Sequence, residues 1–106
     1  MTGMNVPFFR ADLDGNELQY VKEVLESGWL TTGAKCAALE TNFATAVGAK
    51  HAIAVNSCTA ALHLACEAAG VGPGSKVLVP SLTFTATAEV VEYLGGTVCL
   101  ADVDLE

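Results

Sequence analysis

Residues 51–64 read HAIAVNSCTAALHL, and this stretch decides the fold. Its apolar first part, His51–Val55, predicts a β-strand, and its small-residue second part predicts a helix over Thr59–Ala69 that Gly70 closes. A polar turn that contains Ser57 joins the two parts. Short apolar runs that alternate with helices are the sequence sign of an α/β layer with a largely parallel sheet.

The chain on both sides of this stretch extends the pattern. Two amphipathic helices precede it, and Asp14 and Glu17 have the spacing of a capping box, so we interpret both carboxylates as serving the first helix start. The predicted elements are helix Asp14–Ser27, helix Lys35–Val47 ended by Gly48, strand His51–Val55, helix Thr59–Ala69, strand Lys76–Val79, helix Thr83–Leu94 closed by Gly95 and strand Thr97–Ala101.

The amino-acid composition indicates a globular protein and argues against several classes of function. The 106 residues are 52% hydrophobic and 16% charged, with a net charge of −7, which is typical of a globular chain. The five basic residues stand singly, which argues against nucleic-acid binding. We see no signal peptide and no membrane span. The four cysteines show no metal-ligand spacing, and we expect a reduced, cytoplasmic protein.

The turn before the third helix is a candidate phosphate site. A helix start presents unpaired N–H groups and the positive end of the helix dipole, and Ser57 and Thr59 add hydroxyl donors. Cys58 lies between them, and no histidine stands nearby in sequence to activate its thiol. From this segment alone a second interpretation stays open, in which Ser57 merely caps the helix.

Two further features are candidates for ligand contact. Phe84 follows the second predicted strand, where an open α/β sheet binds ligands and an aromatic face can stack on a flat heteroaromatic ring, although such a residue is more often core. The loop Gly28–Gly33 has an unusual share of large apolar and hydroxyl side chains. Asp102 and Asp104 are a weak case for a cation site, and we predict no metal.

Four motifs in this order resemble the DegT/DnrJ/StrS family of sugar aminotransferases, which depend on pyridoxal phosphate (PLP) and have the aspartate-aminotransferase fold. The likeness covers nearly the whole chain from Pro7 onward. The motifs are Ser27–Gly33, His51–Leu64, Val79–Phe84 and Asp102–Asp104.

The resemblance implies roles for individual residues. Cys58 and Thr59, with Ser57 beside them, match the positions that hold the phosphate of PLP, and Phe84 matches the aromatic residue that stacks on the pyridine ring. The pocket for the sugar nucleotide is built at a homodimer interface in this family, with an amino acid, usually glutamate, as the donor. The residues that match this pocket are Trp29, Leu30, Thr31 and Thr32.

The resemblance also implies that important parts lie outside these residues. The family's Schiff-base lysine falls well beyond residue 106 in relatives, so we predict no catalytic residue here and no activity for the chain alone. We expect an incomplete N-terminal portion of the large domain of a fold type I transferase, with helices and the substrate loop in 1–50 and the start of the α/β sheet in 51–106. In similar enzymes the first strand is separated from the next two by strands that come later in sequence.

Two alternatives to an aminotransferase stay open at this point. One is a sugar dehydratase of the same family in which the lysine is replaced. The other is a non-catalytic binding or interaction module that keeps only the phosphate site.

Overall fold

The computed structural model describes residues 6–104, and these form two compact units. The N-terminal unit extends to Ala54, and the C-terminal unit begins at Val55. No described helix is both long enough and apolar enough to cross a membrane.

The N-terminal unit contains helices α1 (Glu17–Ser27) and α2 (Ala34–Val47). Helix α2 ends at Gly48, whose φ of 69° is the left-handed conformation that glycine adopts without strain, as predicted. The predicted capping role of Asp14 is wrong, because α1 begins only at Glu17 and Asn16 holds the cap position. Gly15 and Asn16 are poor helix formers, which delays the start of the helix.

The predicted strand His51–Val55 is not a strand in the structure. The described residues include no strand beside this segment, and a β-strand needs a neighbour to accept and donate its backbone hydrogen bonds. One backbone group is satisfied by a side chain instead: the Ala54 N–H donates to Glu40 Oε1 of α2 at 2.9 Å. The prediction was wrong because an apolar run does not carry its own pairing partner.

The C-terminal unit contains helix α3 (Cys58–Ala68), strand β1 (Lys76–Pro80), helix α4 (Ala86–Tyr93) and strand β2 (Thr97–Ala101). The strands are parallel and in register from Lys76 opposite Thr97 to Pro80 opposite Ala101. The prediction of helix, strand, helix and strand in this order is confirmed.

Helix α4 begins three residues later than predicted, at Ala86 rather than Thr83. The chain still follows the sheet after β1, since the Ser81 N–H donates to the Ala101 carbonyl at 2.7 Å. The Thr83 and Thr87 hydroxyls then share a hydrogen bond of 3.0 Å across the start of the helix.

The core of the C-terminal unit lies between α4 and the strands. It consists of Val79, Ala86, Val90 and Val91. Because side chains alternate along a strand, Leu78 faces away from Val79, and it is 73% exposed. One face of the strand pair is therefore covered and the other is open.

The small core predicts weak cooperativity. We expect the isolated 106 residues to unfold gradually on heating and to self-associate, even where the helices are formed, because few apolar side chains are fully buried. Circular dichroism against temperature, with sedimentation at the same concentrations, measures both properties. A sharp, reversible transition of a monomer would contradict this expectation.

Candidate functional site

The start of α3 combines a capped turn with free backbone donors. Ser57 adopts an extended conformation, and its Oγ accepts a hydrogen bond of 3.1 Å from the Ala60 N–H. The Ser57 carbonyl accepts from the Ala61 N–H at 3.1 Å. The N–H groups of Cys58 and Thr59 donate to no group among the described residues. The capping interpretation is thus correct, and it leaves two amides available.

These groups fit an anionic ligand. Cys58 is exposed and Thr59 is half-buried, and the Thr59 hydroxyl has no partner among the described residues. The Ser57 hydroxyl accepts in the cap, so its own proton is still available to donate. Ala60 and Ala61 add no bulk beside the amides. A phosphate could accept from two N–H and two O–H donors at the positive end of the helix dipole.

Phe84 lies at the same edge of the sheet as this helix start. It follows the carboxyl end of β1. Helix α3 packs beside α4 and leads by a short turn into the amino end of β1, so α3 begins at the opposite, carboxyl edge. The Phe84 ring is 78% exposed, which rules out a core role within the described residues and leaves its face open to a ligand.

Asp102 connects the carboxyl ends of the two strands. Its Oδ1 accepts from Ser81 Oγ at 3.1 Å and from the Val103 N–H at 2.9 Å. Asp102 therefore acts as a hydrogen-bond acceptor at the strand ends. The described residues contain no cluster of three or more metal-ligand side chains.

In the N-terminal unit, the loop between α1 and α2 is closed on itself by Trp29. The indole Nε1–H donates to the Thr32 carbonyl at 2.9 Å, and the Trp29 backbone N–H donates to Ser27 Oγ at 3.1 Å. Ser27 Oγ in turn donates to the Val24 carbonyl at 2.7 Å, which ties the loop to the last turn of α1. The indole is nevertheless 63% exposed.

A cavity of about 500 Å³ lies beside this loop. Trp29 and Thr31 line it, whereas Leu30 and Thr32 do not. Glu23 and Lys35 also line the cavity, and sequence reasoning missed both. They are twelve positions apart on different helices, and neither a motif nor a helical spacing connects them.

The Glu23 carboxylate is held by two donors. Lys35 and Gln19 both donate to it, and these hydrogen bonds, the one from Lys35 foremost, lower the pKa of Glu23 below its ordinary value. A lowered pKa means that the contacts stabilise the folded chain above the pH at which an unfolded glutamate ionises. This stabilisation is lost as the pH falls through the folded pKa.

The structure therefore brings together some of the predicted site residues. Ser57, Cys58, Thr59 and Phe84 share one edge of one unit. The loop Trp29–Thr32 belongs to the other unit, and its place in a common site stays a prediction.

The family model for DegT/DnrJ/EryC1/StrS aminotransferases matches residues 11–106. The chain belongs to this aminotransferase family. The resemblance seen in the four motifs is confirmed, and so is the expected fold class, an α/β part of the fold type I large domain.

Individual members of the DegT/DnrJ/EryC1/StrS family give the same result. The chain is 50% identical over 99 residues to the spore coat polysaccharide biosynthesis protein SpsC of Bacillus subtilis, covering 93% of this chain and 25% of SpsC. It is similar to Spr1654 from Streptococcus pneumoniae in its PLP form, at a TM-score of 0.86 and 36% identity over 97% of this chain and 26% of that one. An aminotransferase from Psychrobacter cryohalolentis matches at a TM-score of 0.81 and 36% identity, over 92% of this chain and 26% of that one. The chain thus spans about a quarter of the length of these relatives.

Substitution of Gly33 tests the closed form of the loop. A Cβ at this position would lie 2.7 Å from Trp29 Cδ1 and 3.2 Å from Nε1, so in Gly33→Ala the indole must move and its bond to Thr32 weakens. Trp29 is the only tryptophan of the 106 residues, so its fluorescence reports this directly. We expect a red-shifted emission and stronger quenching by acrylamide.

Gly72→Ala is the matched control, because its Cβ would have no heavy atom nearer than 3.9 Å. Unchanged emission in Gly33→Ala would show that the indole does not rest against residue 33.

Proposed function

We propose that this chain is the N-terminal quarter of a PLP-dependent aminotransferase that transfers an amino group from glutamate to a nucleotide-linked keto-sugar. One observation carries the proposal: the unpaired amides of Cys58 and Thr59 and the exposed ring of Phe84 lie at the carboxyl edge of the same parallel strand pair. Ligands of open α/β sheets bind at this edge. Membership of an aminotransferase family supplies the reaction class.

The start of α3 would hold the phosphate of PLP. The Cys58 and Thr59 amides donate to it, the Ser57 and Thr59 hydroxyls add two further donors, and the helix dipole favours its negative charge. Bound at this point, PLP supplies an electron sink for reactions of an amino group. The two amide donors belong to the backbone of the helix start, so the helix fixes their positions.

Phe84 would bind the pyridine ring through its face. A phosphate held at one end and an aromatic ring stacked at its side leave the cofactor little freedom to rotate.

The Trp29–Thr32 loop would contribute to the wall of the sugar-nucleotide pocket. Trp29 and Thr31 line the cavity beside it, and an indole together with a threonine suits a polar sugar with apolar ring faces. In the complete protein this wall would stand at a homodimer interface, as the family resemblance implies, and the protein would act in the cytoplasm.

Two of the four lysines are engaged by carboxylates. Lys22 Nζ pairs with Glu26 at 3.7 Å on the surface of α1, and Lys35 is engaged by Glu23. A lysine that carries the cofactor and moves the proton would come from residues after 106. The chain alone would therefore bind but not catalyse.

Substitution of Ser57 separates capping from phosphate binding. In the complete protein, Ser57→Asp keeps a good N-cap but places a carboxylate beside the phosphate, where like charges repel by several kcal/mol. We expect the dissociation constant for PLP to rise at least about tenfold while helix content is unchanged. Ser57→Ala loses the cap, worth about 1 kcal/mol, and should weaken binding less.

Ser75→Asp is the matched control. Ser75 also accepts a backbone N–H, from Gly72 at 3.1 Å, but it precedes β1 at the opposite edge. Equilibrium dialysis measures PLP affinity, and NMR follows the conversion of glutamate to its keto acid. If Ser57→Asp bound PLP as tightly as the parent protein, the phosphate would lie elsewhere. Binding of PLP without amino transfer by the parent would favour the dehydratase or binding-module alternatives.

A further inference from the structure

One ammonium group connects the two helices that flank the substrate loop. Lys35, the second residue of α2, donates from Nζ to Glu23 Oε2 of α1. The same Nζ lies 4.0 Å from the centroid of the Tyr20 ring. Tyr20 and Glu23 are three positions apart on α1 and therefore share one face of that helix. The ammonium contacts both of them at once.

The carboxylate partner is itself fixed in orientation. Gln19 Nε2 donates to Glu23 Oε1 at 2.9 Å, so each carboxylate oxygen has a separate donor. The lowered pKa of Glu23 agrees with a carboxylate held in its charged form by these two bonds. Glu23 thus presents a defined acceptor to α2.

These contacts close a ring around the loop 28–33. The loop begins after Ser27, the last residue of α1, and ends before Ala34, the first residue of α2. The side chain of Lys35 then contacts α1 again. The cavity beside the loop is lined by residues of both helices and of the loop, among them Glu23, Lys35, Trp29 and Thr31. Its shape therefore depends on how far apart the two helices are held.

We propose that Lys35 is a positioning residue for the substrate loop: by joining Glu23 and Tyr20 of α1 to the start of α2, it holds Trp29 and Thr31 in the arrangement that receives the nucleotide-linked sugar. This inference rests on the proposed function for the identity of the ligand. The contact of Lys35 with Glu23 and Tyr20, which we call the clamp, is independent of that function.

The size of the effect follows from the exposure of the pair. The Lys35 and Glu23 side chains are 40% and 41% exposed, so solvent partly screens the ion pair. The pair alone should therefore change the equilibrium constant between the ordered and the open loop by only a few-fold. A cation over an aromatic ring adds a similar factor. Together they should shift the equilibrium constant between the ordered and the open loop by roughly tenfold.

The test compares Lys35→Met and Lys35→Arg in the complete protein. Methionine keeps the length of the side chain but loses the charge, and arginine keeps the charge. For Lys35→Met we expect backbone hydrogen exchange of residues 28–34 to rise roughly tenfold. KM for the nucleotide-linked sugar should rise by up to about the same factor, with kcat within about twofold. PLP affinity should not change. Lys35→Arg should restore both exchange and KM.

Lys22→Met is the matched control, since Lys22 pairs with Glu26 on the same helix and closes no loop. Glu23→Gln is a second variant that removes the ion pair from the other side, and it should increase exchange in the same segment. Unchanged exchange in both Lys35→Met and Glu23→Gln would overturn the clamp. Increased exchange with an unchanged KM in an active protein would overturn the positioning role of Lys35 in substrate binding. If exchange rises but the parent protein transfers no amino group to a sugar, the clamp stands and the proposed function fails.

Discussion

The first backbone N–H groups of an α-helix have no carbonyl within the helix to bond, and the candidate phosphate site depends on this property. At the start of α3 the Ser57 side chain satisfies the Ala60 N–H and leaves those of Cys58 and Thr59 free. The parallel pairing of β1 and β2 requires a crossover connection, which is α4, and α3 packs beside α4. The donors and Phe84 therefore meet at one edge of the sheet. An anion with an attached flat ring suits this arrangement.

Local sequence features predicted the elements well where the chain supplies its own partners. Gly48 ended α2 as expected, and the alternation of helix and strand from Thr59 to Ala101 appears in the structure. The prediction of a strand at His51–Val55 was wrong for a physical reason. A strand needs a neighbouring strand for its backbone hydrogen bonds, and the described residues provide none beside this segment. The prediction that Asp14 caps α1 was wrong because the two residues after it, Gly15 and Asn16, are weak helix formers.

The candidate site was predictable in part. The turn that contains Ser57 shows its chemistry in the sequence, because small residues and hydroxyls at a helix start are visible without a structure. The contacts of Lys35 could not be predicted from the sequence. Its partners on α1 lie near it only in the folded chain, and no regular sequence spacing connects them. The Trp29 loop lies between these cases: its composition is unusual, but the hydrogen bond that closes it is a structural fact.

The most direct measurement is a crystal structure of the complete protein with PLP bound. We expect phosphate oxygens at about 3 Å from the amide nitrogens of Cys58 and Thr59, with the pyridine ring against the face of Phe84. A phosphate bound at any other place, with those two amides hydrogen-bonded to water, would contradict this expectation.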